Sequence, residues 1–347
     1  MKTLKKKHPE IIIFLTFFSP SGFEIRKNYE YADYIFYLPY DSPRNAKKLI
    51  KLVKPKMAIF VKYEFWFNYF IELKKNNIPL YLISGVFRKE QHFFKNWAYW
   101  QRKQLNNFDY FFLQDESSAS LLKSIGLNNN MVTGDTRFDR VSEILNQKIE
   151  LPIIQKFKGD DTVLCAGSSW PPDEDIILDY LNSKSSNETK LIIAPHDISS
   201  KHIEELLRKF KDYKPLLYSK LKSDSRHISS ARILIIDSIG LLNKLYRFAD
   251  IAYIGGGFGV GIHNLLEPAV YGIPVIYGPN HKHFREAVAL AEGQGGFPID
   301  NKIEFKNIVN KLLSDKDFYN MYSEAAAEYI KKNTGSSLKI LQKLELD

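Results

Sequence analysis

Residue types that could bind a nucleotide are concentrated between positions 255 and 283. An apolar segment predicted as a strand, 250–254, runs directly into three consecutive glycines, 255–257. Glycines at the end of a parallel strand let a ligand approach the backbone closely, and the following helix start offers free N–H groups to an anion. We expect that helix to open near Asn264, so that Glu267, one turn further on, can accept hydrogen bonds from ribose hydroxyls.

The same two side chains also fit a structural role. Asn264-x-x-Glu267 matches a capping box, with Asn264 as the N-cap and Glu267 as the third helical residue. A capping carboxylate at the carboxyl end of a strand also lies near the crevice in which nucleotides bind. The two interpretations are therefore compatible, and glycines alone do not decide between them.

Two charged residues follow predicted strands in the first half of the chain. Glu64 comes after 57–61 and stands among aromatic residues, where a carboxylate could act in acid–base chemistry or stabilise a developing cation. Arg137 comes after a later strand, where it could neutralise a phosphate leaving group. The alternatives are a first-turn helix residue for Glu64, and an Arg137 paired with Asp135 or Asp139 at the surface.

Two more strand ends carry polar groups in the second half. Residues 166–174, AGSSWPPDE, combine glycine, serine and proline in the order typical of a helix start, which also makes an anion cradle. Pro195 and His196 end the next strand, where the imidazole could contact a base or a phosphate. A lone histidine at a strand end is more often structural, and that alternative stays open.

Composition limits the classes of function. The single cysteine, Cys165, excludes an internal disulfide and a cysteine-built zinc site. The spacing of histidines and carboxylates matches no standard metal motif, so we expect a mechanism without metal. The net charge of +9, from 49 Lys and Arg against 40 Asp and Glu, suggests an anionic partner, although lysine-rich genomic composition also explains it. No apolar run is long enough for a transmembrane helix.

These side chains require a scaffold of alternating strands and helices. Apolar strand patterns alternate with amphipathic helix patterns along the whole chain, which indicates parallel α/β sheets. The strand pattern occurs in two series: 10–15, 34–37, 57–61, 79–84, 109–113 and 130–133, then 162–166, 190–194, 232–236, 250–254, 273–277 and 296–299. We therefore predict two doubly wound Rossmann-like domains, 1–150 and 151–347, with a ligand cleft between the carboxyl ends of their sheets.

Longer motifs make a resemblance specific. FFSPSG (17–22), KYEFW (62–66), TGDTRFD (133–139), AGSSWP (166–171), APH (194–196) and GIHNLLEPAVYGIPVIYGP (261–279) stand in the order of one family. The chain resembles the 3-deoxy-D-manno-octulosonic acid (Kdo) transferases of lipopolysaccharide synthesis. The resemblance implies a GT-B fold, with an acceptor-side first domain and a CMP-sugar-binding second domain.

The activity that the resemblance implies is inverting transfer of Kdo from CMP-Kdo to a phosphorylated lipid A precursor of lipid IVA type. The resemblance also implies a reaction without metal, at the cytoplasmic face of a Gram-negative inner membrane. Charge alone would allow nucleic-acid binding, but no recognition motif supports it, so we expect no nucleic acid as partner. Glu64 and Arg137 match the positions that stabilise the transition state. The family's CMP contacts fall on three segments: Pro195 and His196; Ile239, Gly240 and Leu241; and Asn264, Leu265, Leu266 and Glu267.

One family feature has no counterpart in the sequence. The Gly-Glu motif that supplies the general base is absent before Ile11, so the chain is expected to lack the family's first βα unit and membrane-anchoring segment. Two other functions therefore stay open: a catalytically silent nucleotide- or lipid-binding protein, and a UDP-sugar transferase or epimerase. The aromatic and basic stretch 87–102 is expected either to lie on the membrane surface or to pack into the domain core.

Overall fold

A computed structural model describes residues 1–183, 189–221 and 227–346. The chain divides into two compact units. Unit 1 contains residues 1–139 and the residues from Asn333 onward, and unit 2 contains residues 140–332. Both units are α/β with parallel strands, as the alternating pattern predicts.

Unit 1 contains two separate parallel sheets in its described residues. One pairs β1 (Phe14–Phe17) with β2 (Tyr34–Tyr37), and the other has the order β3-β4-β5-β6. The strands of this second sheet are β3 (Ala58–Val61), β4 (Leu80–Gly85), β5 (Tyr110–Leu113) and β6 (Asn130–Val132). The apolar core of the unit surrounds β4 and β5, where Leu82 and Phe111 are fully buried.

Two helices of unit 1 begin after a residue whose side chain accepts a hydrogen bond from one of their first free N–H groups. The Ser42 hydroxyl accepts a hydrogen bond from Asn45 N, and the Asp115 carboxylate accepts one from Ser118 N. The helices are α1 (Lys2–Lys7), α2 (Pro20–Arg26), α3 (Pro43–Val53), α4 (Phe67–Lys75), α5 (Tyr99–Gln104), α6 (Glu116–Ser124) and α7 (Thr136–Leu145), which contains the division between the units.

Unit 2 contains one seven-stranded parallel sheet, with the order β13-β12-β11-β7-β8-β10-β9. Its strands are β7 (Thr162–Ser169), β8 (Thr189–Pro195), β9 (Leu216–Leu217), β10 (Ile233–Ile235), β11 (Ile251–Ile254), β12 (Val275–Tyr277) and β13 (Gly296–Pro298). Every residue of β8 is buried, which explains its unbroken apolar character at 191–194.

The remaining helices lie in the second half of the chain. They are α8 (Pro152–Lys158), α9 (Pro171–Leu181), α10 (Ser200–Lys209), α11 (Leu242–Leu245), α12 (Leu266–Ala269), α13 (Arg285–Glu292), α14 (Lys302–Ser314), α15 (Lys316–Asn333) and α16 (Ser336–Lys343). Within the described ranges, no helix combines the length and the apolar character that crossing a bilayer requires.

The predicted strands agree with the observed ones, with two differences. The first strand lies at Phe14–Phe17 rather than at 10–15, and β9 was not predicted. Two paired residues are too few to produce a periodic pattern. The helix expected to open near Asn264 is only the single turn α12, which starts at Leu266.

The stretch 87–102 packs only partly into the domain core. Phe87 and Phe93 are buried in the core of unit 1, whereas Trp97 and Tyr99 are 68% and 70% exposed. Only a short 3₁₀ turn at His92–Phe94 and the helix α5 form here, so the stretch is not one continuous amphipathic helix.

The C-terminal residues belong to unit 1, whereas the predicted division at 150 assigns them to the second domain. The two carboxylate oxygens of Asp139 accept hydrogen bonds from Gly335 N and Ser337 N, both at 2.6 Å. These bonds hold the start of α16 against unit 1, whereas the sequence placed it in the second domain. Charge-assisted bonds of this kind are shorter and stronger than neutral ones.

We expect Asp139→Asn to destabilise the protein by about 1–3 kcal/mol, because the amide can accept only one of the two hydrogen bonds. Thermal and urea unfolding followed by circular dichroism measure the effect. Glu90→Gln, at an exposed position of unit 1, is the matched control. Equal stability of Asp139→Asn and wild type would show that these bonds do not hold the C-terminal helix.

Candidate functional site

The strand order of unit 2 locates its ligand crevice. The chain leaves β7 towards β8 and β10 on one side, and then returns to place β11 on the other side of β7. In open α/β sheets, ligands bind outside the carboxyl ends of the strands at such a reversal. The segments at this point are the end of β7 with the start of α9, and the glycine-rich loop after β11.

Glycines are needed here because the loops touch each other. A Cβ on Gly255 would stand 2.3 Å from the Ser168 carbonyl oxygen, and a Cβ on Gly257 would stand 2.5 Å from Gly278 N. Gly256 has φ +92°, which favours glycine for a second reason. These glycines therefore have a packing role, which the sequence alone did not reveal, in addition to the predicted role in letting a ligand approach.

A buried carboxylate ties these loops together. Asp173, in the first turn of α9, is 1% exposed. One of its oxygens accepts a hydrogen bond from the Tyr253 hydroxyl at 2.6 Å, and the other accepts from Gly256 N at 2.8 Å and Trp170 N at 2.9 Å. Sequence analysis did not single out Asp173, although proline followed by an acidic residue in a first turn is a recognisable helix-start signal.

The rings of Trp170, His196 and His263 form a cluster next to Asp173. The rings of His196 and Trp170 stack with their centroids 4.5 Å apart, and those of His196 and His263 with their centroids 4.6 Å apart. Trp170 Nε1 donates a hydrogen bond to His263 Nε2 at 3.2 Å. The structure therefore joins the predicted residue His196 to two residues outside the predicted set.

Asn264 and Glu267 form a local pair rather than a complete capping box. Asn264 Oδ1 accepts a hydrogen bond from Leu266 N, and Asn264 Nδ2 donates one to Glu267 Oε1 at 2.9 Å. Burial raises the pKa of Glu267, while the Asn264 hydrogen bond and the positive charge of Arg140 oppose that rise. Leu265 and Leu266 are fully buried, so their side chains serve packing.

The other predicted nucleotide residues lie at the same edge of the sheet. Pro195 is the last residue of β8, and Ile239 to Leu241 form the turn after the adjacent strand β10. Gly240 has φ +86°, and Ile239 is 86% exposed. Since carboxyl ends of neighbouring parallel strands meet at one edge, the order of the sheet brings these segments alongside His196.

In unit 1, polar residues that follow three different strands converge on Asp135, which is 5% exposed. Its Oδ2 accepts from Arg137 Nε at 2.7 Å and from Gln114 Nε2 at 3.0 Å, and Lys62 Nζ lies 3.4 Å away. The alternative of an Arg137 paired with Asp135 is thus observed. Asp135 holds two cationic side chains at the carboxyl edge of the sheet.

Glu64 occupies a more open position than its aromatic neighbours suggest. The carboxylate is exposed and accepts a hydrogen bond from Trp66 Nε1 at 2.5 Å. Phe65 instead packs against Phe93 in the core of the unit. Because α4 begins at Phe67, Glu64 precedes the helix and is not a first-turn residue.

Comparison with known proteins bears directly on these features. The sequence model of the family described as 3-Deoxy-D-manno-octulosonic-acid transferase (kdotransferase) matches residues 1–140. The 3-deoxy-D-manno-octulosonic acid transferase of Aquifex aeolicus is 29% identical over 324 residues, covering 91% of this chain and 82% of the relative. That of Haemophilus influenzae is 26% identical over 358 residues, covering 99% of this chain and 82% of the relative.

The chain is thus similar to Kdo transferases over nearly its whole length, and its first 140 residues match the model of that family. This similarity indicates a glycosyltransferase. Among solved structures, the UDP-GlcNAc 2-epimerase of Neisseria meningitidis bound to UDP-GlcNAc has a TM-score of 0.67 at 16% identity, covering 99% of this chain and 94% of that one. At this identity the likeness shows the fold, which is of GT-B type with two Rossmann-like units.

We expect Asp173→Asn to destabilise the protein by about 1–3 kcal/mol, because one of the acceptor oxygens becomes a donor facing other donors. Asp173→Ala should cost more, since all three donors then lose their partner. Urea unfolding at constant pH measures both. Asp160→Asn, at an exposed position of unit 2, is the control. Wild-type stability of Asp173→Asn would mean that the carboxylate does not hold the loops.

Proposed function

We propose that the protein catalyses inverting transfer of Kdo from CMP-Kdo to a phosphorylated lipid A precursor of lipid IVA type. The observation that carries the proposal is the set of polar groups at the strand reversal of unit 2. There, His196 adjoins the His263–Asn264 segment, and Asn264 orients the Glu267 carboxylate. In a chain similar to Kdo transferases, these groups are suited to a nucleotide base, phosphate and ribose.

The proposed nucleotide contacts follow from the chemistry of each group. Glu267 accepts hydrogen bonds from ribose hydroxyls, because a carboxylate held by an amide presents its remaining lone pairs to a diol. Pro195, His196 and the turn from Ile239 to Leu241 contact the cytosine ring. The backbone of the glycine-rich loop adjoins the phosphate.

The proposed reaction has three requirements. The acceptor hydroxyl oxygen forms a bond to the anomeric carbon of Kdo, and its proton passes to a base. The bond from that carbon to the phosphate oxygen breaks, and the electron pair leaves with CMP. Positive charge that develops on the sugar is stabilised by Glu64, and negative charge on the departing phosphate by Arg137.

The reaction as proposed uses no metal ion. Asp135 holds Arg137 and Lys62 at one strand edge, so the protein itself supplies positive charge for a phosphate. A guanidinium fixed by a buried carboxylate keeps its planar donor geometry, which suits phosphate oxygens.

The proposed acceptor and location fit the surface of unit 1. Trp97, Tyr99 and Trp100 are exposed beside the basic residues Lys95 and Lys103. Aromatic rings with a polar end favour the interfacial region of a bilayer, and lysines favour anionic lipid. We place the protein at the cytoplasmic face of a Gram-negative inner membrane, with no nucleic acid as partner.

Calorimetric titration with CMP, UMP and UDP tests the donor assignment. Selective binding of CMP supports the proposal, whereas preference for UDP favours the UDP-sugar enzyme that the epimerase-like fold also allows. Binding of CMP without transfer of Kdo from CMP-Kdo to lipid IVA would favour a catalytically silent nucleotide-binding protein.

CMP affinity should fall as the pH is lowered through the pKa of Glu267. Burial raises this pKa, so the loss begins at a higher pH than for an ordinary glutamate. A protonated carboxyl has fewer acceptor lone pairs for ribose. Glu267→Gln should weaken CMP binding about tenfold and remove this acid-side dependence. An unchanged pH profile in Glu267→Gln would contradict the role, and Glu292→Gln is the control.

Glu64→Gln should lower kcat about 100-fold or more while leaving CMP affinity near the wild-type value, because the charge is required only in the transition state. Arg137→Gln should likewise lower kcat and leave CMP affinity near the wild-type value. Steady-state transfer assays and calorimetry on the same preparations separate the two effects. A Glu64→Gln enzyme with wild-type kcat would remove this carboxylate from the mechanism.

A further inference from the structure

The Trp170, His196 and His263 rings have a defined arrangement. His196 stacks on both other rings, with interplanar angles of 20° to Trp170 and 26° to His263. If those two rings lay on opposite faces of His196, their nitrogens could not be 3.2 Å apart. Trp170 and His263 therefore lie side by side on one face of His196, joined by a hydrogen bond at their edges.

That hydrogen bond fixes the protonation of His263. An indole N–H can only donate, so His263 Nε2 must present a lone pair. A neutral imidazole with its lone pair on Nε2 carries its proton on Nδ1. A doubly protonated imidazolium has no acceptor and cannot accept the Trp170 hydrogen bond.

The surroundings support the neutral state. Burial, followed by the effect of His196, lowers the pKa of His263, and the Asp173 carboxylate opposes this change. His196 faces the ring from the end of β8, and Asp173 faces it from α9. Asp173 also accepts a hydrogen bond from Trp170 N, which fixes the backbone from which the indole extends.

The Nδ1–H of His263 is available to a ligand. Over residues 1–183, 189–221 and 227–346, the recorded hydrogen bonds include none from this atom. His263 N bonds to Gly255 O, so the residue is held at the reversal between β7 and β11, directly before Asn264. The proposed function assigns this segment to the nucleotide, so an oriented N–H donor lies within the proposed site.

We propose that His263 is a further donor-binding residue, whose Nδ1–H donates a hydrogen bond to a phosphate oxygen of the bound nucleotide. Trp170 is its positioning residue, because the indole N–H selects the tautomer that can donate from Nδ1. This inference rests on the proposed function, since it names an additional contact in the same nucleotide site. It assigns to Trp170 a role in phosphate recognition that needs no contact with the ligand.

Nitrogen NMR of the full chain labelled with ¹⁵N-histidine tests the tautomer directly. Wild type should show His263 protonated on Nδ1 at neutral pH, and Trp170→Phe should show a mixture of tautomers and a higher pKa. A purely packing role for Trp170 would leave the tautomer unchanged. An Nε2-protonated His263 in wild type would overturn the inference.

Calorimetry with CMP and cytidine tests the phosphate contact. His263→Ala should weaken CMP about tenfold and leave cytidine unchanged, because only CMP carries the phosphate. Asparagine places an N–H near the position of Nδ1 without a tautomer, so His263→Asn should retain CMP affinity. In that background Trp170→Phe should have little further effect. His227→Ala, at an exposed position of unit 2, is the control.

The outcomes separate the two proposals. Failure of folded wild type to bind CMP would overturn the proposed function together with the phosphate contact. CMP binding that His263→Ala leaves unchanged would overturn this inference alone. Equal losses for CMP and cytidine would also overturn it, because they would indicate a general distortion of the site.

Discussion

The strand reversal in unit 2 depends on one buried carboxylate. Asp173 accepts hydrogen bonds from Trp170, directly before α9, from β11 and from the loop that follows β11. An ionised group out of water is tolerated only where such donors surround it, and here the donors come from the segments that must be aligned. The hydrogen bonds to this one carboxylate therefore fix the positions of the ring cluster and of the glycine loop.

Unit 1 also has a buried carboxylate at the carboxyl edge of its sheet. Asp135 is buried and collects the side chains of Lys62, Gln114 and Arg137, which follow three different strands. In both units, an acidic residue at the carboxyl edge of the sheet holds separate loops together through hydrogen bonds. The two carboxylates differ in their donors, because Asp135 binds two cationic side chains and Asp173 binds neutral donors.

The positions of the strands could be predicted well from the sequence, because buried parallel strands are continuous apolar runs and glycine and proline mark their ends. The hydrogen bonds between distant residues were predicted less well. Asp173 reads as an ordinary first-turn residue, and its partners Tyr253 and Gly256 lie far along the chain. Likewise, no local pattern indicates that Asp139 binds the start of the last helix. Contacts between residues distant in sequence require the assembled sheet before they can be identified.

The two sheets of unit 1 have a consequence for local opening of the structure. Among the described strands, β1 bonds only to β2 and β3 only to β4, whereas β7 and β8 have a strand on each side. Side chains on β2 and β3 such as Phe36 and Val61 are only about half buried. Segments with few buried contacts and one-sided pairing open at low free energy, well below global unfolding. Amide hydrogens of β1 and β2 will therefore exchange with solvent while those of β7 and β8 remain protected, and limited proteolysis will cut the β1–β2 segment before the centre of the seven-stranded sheet.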